Sequence, residues 1–169
     1  KLNNLKQAAK TMNFLTEHGI SSYGELESKL TAVSARRDTA HAEIKRIESR
    51  SAELALVMKH AGTYRQLKPL YERYRKSNDK EKFLRGHESE IILFEAAARE
   101  LKRLGAVPLP TTESMKTELA NLNAEKERLL AEYKAARTEA QEYDTVKQNV
   151  DALLTVPKEQ EQQRRHELE

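Results

Sequence analysis

The sequence predicts an all-α protein, a long antiparallel coiled-coil hairpin with a small helical head inserted at its tip. Three observations carry that expectation. Of 169 residues 34% are charged and only 5% aromatic, with 5 Gly and 4 Pro, the usage of long helices and too few large apolar side chains for a thick globular core. Apolar residues recur in two heptad seams without a slip. The seams also complement each other in side-chain size when one is run against the other.

Residues 1–20 make the first element, a short amphipathic helix expected from about Asn3 to His18 with Leu5, Met12 and Leu15 on one side. Gly19 ends it, placed for a left-handed cap. Residues 21–61 form the first coiled-coil arm. Ser21 or Ser22 caps it, and Glu25 is spaced to return the capping hydrogen bond. Its seam steps by four and three through Leu26, Leu30, Val33, Arg37, Ala40, Ile44, Ile47, Ser51, Leu54, Met58 and Ala61.

Residues 62–111 form the head, where Gly62 and Pro69 are expected to interrupt the pattern. Short helices are expected near 64–77, 79–86 and 88–104, closed by Gly105 and the linker Val107-Pro108-Leu109-Pro110. Ile91, Ile92, Leu93, Phe94, Leu101 and Leu104 are the densest apolar patch and the expected head core. The second arm covers residues 112–155, with Met115, Leu119, Leu122, Lys126, Leu129, Tyr133, Ala136, Ala140, Tyr143, Lys147, Val150 and Leu154 in the seam. Residues 156–169 read as a disordered tail ending in Leu168-Glu169, a vector-derived dipeptide, and with no methionine before Lys1 the chain reads as a cut-out fragment.

Antiparallel pairing with residue numbers summing to about 173 sets Ala40 against Tyr133, Leu30 against Tyr143 and Ile44 against Leu129, large mostly opposite small. It also brings Arg36 and Arg37 near Glu139, and Lys147 near Glu25 and Glu27. A parallel homodimer would instead set Arg37, Ser51, Lys126 and Lys147 each against its own copy, and like charges in a core are costly.

Enzyme signatures fail in turn. The chain has no glycine-rich phosphate loop, no His-Glu-x-x-His pair, no nucleophile elbow and no cysteine. Five histidines are scattered at His18, His41, His60, His87 and His166; His60 and His87 with Glu88 come nearest to a ligand set, and neither a metal nor another cofactor is expected. No stretch is long and apolar enough to span a bilayer, and a cytoplasmic location is expected.

Charge is concentrated. Residues 59–85 hold nine basic side chains against Glu72, Asp79 and Glu81, a surplus of six in a chain whose net charge is +3. Candidate nucleic-acid contacts are Arg65, Lys68, Arg73, Arg75, Lys76, Lys80, Lys82 and Arg85, interleaved with Tyr64, Tyr71, Tyr74 and Phe83. Cations neutralise phosphates and rings stack on unpaired bases; alternatively the rings pack the head and the cations solvate its outside.

The stretches NLKQAAKTMNFLTEHGI, YRKSNDKEKFLRGHESEIILFEAAARELKRLG and AEKERLLAEYKAARTEAQEYDTVKQNVDALL resemble the region that follows the nuclease domain in relaxase/mobilisation proteins of bacterial mobile elements. The resemblance covers residues 4–154 and carries no catalytic motif. It implies an accessory C-terminal, non-enzymatic region of a DNA-nicking relaxase, acting in conjugal mobilisation, with accessory relaxosome proteins, the coupling machinery or DNA near a transfer origin as partners. A nucleic-acid-binding module acting through the basic head, and a coiled-coil spacer or dimeriser of another large protein, are the alternatives.

Overall fold

The computed structural model describes the backbone of residues 2–166 and the side chains of residues 5–155. The described residues form four helices and no strand: α1 (Leu2–Glu17), α2 (Tyr23–Lys76), α3 (Lys80–Arg103) and α4 (Thr112–His166). The protein is all-α.

The helix ends follow from local chemistry. Gly19, at φ 61°, lets the Ile20 N–H donate to the Leu15 carbonyl at 2.8 Å and its own N–H donate to Thr16 at 3.1 Å, which closes α1 in a Schellman cap. Gly105, at φ 68°, closes α3 through the same pair of bonds, from Ala106 to Leu101 and from Gly105 to Lys102. Ser22 caps α2 by accepting from the Glu25 N–H at 3.2 Å, while the Glu25 carboxylate accepts from the Ser21 N–H at 2.7 Å and the Ser21 hydroxyl at 2.9 Å. Asp79 caps α3 through the Lys82 N–H, and Thr111 caps α4 through the Ser114 N–H.

Two expected breaks are absent, because α2 runs through Gly62 and Pro69 to Lys76. Pro69 sits on the exposed side of the helix, while Leu67, Leu70, Tyr71 and Tyr74 keep the other side half-buried and hold the helix together from within. The break expected between residues 86 and 88 does occur: His87 leaves helical geometry at φ −141°, ψ 26°. At the other end α4 continues to His166, where a disordered tail from residue 156 is expected; Glu, Gln and Arg, all good helix formers, dominate 158–165. Residues 167–169, with the Leu168-Glu169 ending, lie outside the described residues.

The chain divides into two compact units. The first contains residues 1–43 and 128–169. Leu26 and Val33 of α2 and Ala140, Tyr143 and Val146 of α4 form its core, with Phe14, Leu15, Ile20, Leu30 and Val150 packed around them. Here α2 and α4 run antiparallel. Tyr23 bonds Asp151, Glu27 meets Lys147, Arg36 pairs with Glu139, and the His41 and Tyr133 rings lie 5.6 Å apart, so paired residue numbers sum to 174 or 175. Arg37 turns to Asp38 rather than Glu139, and Glu25 is occupied by the cap rather than by Lys147.

α1 docks on α4 by a face other than the one expected. Thr11 is 2% exposed and accepts from Asn149, Gln7 also bonds Asn149, and the Phe14 ring meets Tyr143 edge-on at 5.3 Å. Leu5 and Met12 therefore lie outward, at 72% and 60% exposure, and of the expected trio only Leu15 turns in.

The second unit contains residues 44–127. Leu54, Val57 and Ala61 of α2, Leu101 of α3, Ala106 of the linker and Met115 of α4 are buried together. α2 and α4 are again antiparallel neighbours, through Glu48–Lys126 at 2.9 Å and Arg50–Glu118 at 2.7 Å. Of the expected head core, Ile91, Phe94 and Leu101 are buried and Leu104 packs against the core, but Ile92 and Leu93 are more than half exposed. A helix can bury only one stripe, and the run of four apolar residues from 91 to 94 overfills it.

Candidate nucleic-acid interface

The basic segment folds as the last turns of α2, a three-residue turn over 77–79, and the first turns of α3, all within the second unit. Ser77 shapes the turn by donating to the Asp79 carbonyl at 3.1 Å and accepting from the Asp79 N–H at 3.2 Å. All eight candidate cations, Arg65, Lys68, Arg73, Arg75, Lys76, Lys80, Lys82 and Arg85, are exposed.

They do not form one uniform set. Arg65 donates to the Thr112 hydroxyl at 2.8 Å and to the Pro110 carbonyl, so its guanidinium ties α2 to the linker before α4. The Arg73 guanidinium lies 5.8 Å from the centre of the Phe83 ring and links the two sides of the turn. Among the described residues none of Lys68, Arg73, Arg75, Lys76, Lys80, Lys82 and Arg85 enters an ion pair.

The interleaved rings are half-buried and pack on one another and on Phe94. Phe94 of α3 stacks on Tyr64 at 4.8 Å and on Tyr71 at 4.2 Å. The series continues from Tyr71 to Tyr74 at 5.9 Å, from Tyr74 to Phe83 at 6.0 Å, and from Phe83 to His87 at 4.8 Å. Burial, and then the neighbouring Glu95 carboxylate, hold the Tyr71 phenol above its ordinary pKa. His87, where α3 breaks, has a buried Nδ1 with no hydrogen-bond partner; Glu90 lies 3.6 Å away, too far for a bond.

Among the described residues no group of three or more His, Asp or Glu is placed to hold a metal, so His60, His87 and Glu88 do not come together as one. No helix among them is long and apolar enough to cross a membrane. A groove of about 530 Å³ between α1 and α4 is rimmed by Lys10 and Glu142 and floored by Thr11 and Val146. It offers one ammonium and one carboxylate, with no nucleophile beside a base.

The sequence reading did not find a cluster at the start of α2, in the first unit. The Tyr23 hydroxyl donates to Asp151 at 2.6 Å, and Lys147 donates to the other Asp151 oxygen at 3.2 Å. The Tyr23 hydroxyl and then Asp151 raise the Lys147 ammonium well above the lysine range, and Tyr23 and then Lys147 lower the Asp151 carboxyl. The i,i+4 spacing of Lys147 and Asp151 was the signal available.

Compared with family models, with curated proteins and with solved structures, the chain matches none.

Proposed function

We propose that this chain is a helical interaction module without catalytic activity of its own, in which long helices serve as scaffold and the α2–α3 turn is presented to a partner. Within that class it is the accessory C-terminal region of a DNA relaxase acting in conjugal mobilisation of a plasmid or integrative element. The class is supported by one observation: every seam residue from Leu26 to Ala61 and from Met115 to Val150 is buried or half-buried, so the seams are consumed by packing. The particular reading rests on the resemblance of the three stretches above. Reading the frame upstream of Lys1 tests it. A nuclease domain with clustered histidines is expected there, and an unrelated domain would overturn the relaxase assignment and leave a coiled-coil spacer or dimeriser.

A second reading, a nucleic-acid-binding module, is favoured by the exposed cations of the α2–α3 turn that have no acidic partner. Fluorescence anisotropy with DNA at low ionic strength tests it, because phosphate contacts make affinity fall steeply with added salt. Absence of any salt-sensitive affinity would sink it.

A further inference from the structure

We propose that the α2–α3 turn binds the phosphate backbone of duplex DNA and does not stack on unpaired bases. This rests on the nucleic-acid reading and specifies its ligand. Lys68, Arg73, Arg75 and Lys76 lie on the exposed side of α2, and Lys80, Lys82 and Arg85 follow on α3 after the three-residue turn. At about 1.5 Å per residue, Lys68 and Lys76 are about 12 Å apart along the helix. A 12 Å length of duplex carries about seven phosphate charges over its two strands, and the four cations on this length of α2 can meet about four of them.

Proteins that favour single strands add a second ingredient, aromatic faces on which bases stack. This turn withholds them. Phe94 has Tyr64 and Tyr71 stacked on it, and Phe83 has Tyr74, His87 and the Arg73 guanidinium around it. These rings are half-buried and their packed faces are covered by neighbours on the two helices, so a base could stack on those faces only by displacing the neighbours. What remains is charge, and charge alone favours the duplex, because each phosphate contributes a salt slope of about −0.9 there against about −0.7 on a single strand.

The test is fluorescence anisotropy on the intact chain with a mixed-sequence duplex, an oligo-dT of equal length and anionic phospholipid vesicles, each across about 50 to 200 mM salt. With about four phosphates contacted, duplex affinity should fall about 10²-fold over that range, and oligo-dT should bind more weakly throughout. The double variant Lys76→Glu, Lys82→Glu should flatten the duplex slope by about 2, and Lys134→Glu in the other unit should leave it unchanged. Far-UV circular dichroism of the variants separates lost binding from lost helix. Oligo-dT binding as tightly as duplex, with quenched tyrosine fluorescence, would overturn the binding mode and leave the nucleic-acid reading standing. No salt-sensitive binding to either DNA would overturn both. Vesicle binding without duplex binding would assign the surface to lipid and overturn the proposal.

Discussion

Ala136 has no exposed surface, and Ala40 and Ala140 are nearly as enclosed. Small residues so fully covered mean that the facing helix approaches closely at those points, so added volume has nowhere to go. Ala136→Leu is expected to cost about 1–3 kcal/mol through overpacking. Leu26, 1% exposed in the core of the same unit, is the converse case, and Leu26→Ala should cost about 2–5 kcal/mol by leaving a cavity. Lys134→Ala, on the exposed side of α4, should stay within about 0.5 kcal/mol. Urea unfolding midpoints check all three, and equal small effects would mean that these positions do not face a packed seam. The polar seam residues fit the same picture: Lys126 and Lys147 are half-buried and end on Glu48 and on Asp151 and Glu27, so their stems cover the seam while their charges stay paired.

At the scale of the elements, the helix starts were legible wherever a side chain caps the backbone. Ser22→Ala should destabilise α2 by about 0.5–2 kcal/mol, because it leaves the Glu25 N–H without its acceptor; a thermal melt reads the loss. Gly19 was legible too, as a residue that tolerates positive φ directly after an amphipathic run. In the first unit the register was legible to within two of the expected sum of 173, since side-chain volume along two seams is a long pattern, whereas Arg50–Glu118 in the second unit sums to 168. What the sequence concealed was the docking face of α1, where Leu5 and Met12 outweigh Thr11 on any hydrophobicity count. The face is decided by the Asn149 amide waiting on α4, a partner about 140 residues away that no local pattern reveals. Continuity through Pro69 was hidden for a similar reason. A proline removes one backbone bond, but the half-buried residues around it are held by α3.

For the molecule as a whole, the basic cluster was legible as a count of charges, but which cations are available was not. Arg65 bonds the linker and the rings pack on one another, contacts that only three-dimensional packing shows. The same packing sets the response to acid. Glu25, Asp38, Glu48, Glu90 and Asp151 all have lowered pKa values, the first through the Ser21 N–H, Glu48 through Lys126 and Asp151 through Tyr23. A depressed carboxyl stabilises the fold above its unfolded pKa of about 4, and that contribution is lost as pH falls through the folded value. The melting temperature should therefore decline from about pH 5 towards pH 2; a flat profile would mean that these contacts do not persist in solution. Lys147 is raised, so its contribution is present below about pH 10 and lost only above. The break at His87 adds a consequence for how the chain opens. With helical geometry interrupted there, the backbone bonds that cross His87 are expected to be weaker than those within the segments on either side. In native-state hydrogen exchange α3 should behave as two helices, with a notch of rapid exchange at Glu88 and Ser89 between slower segments, so that Lys80–Gly86 can detach while Ile91–Leu101 stays closed.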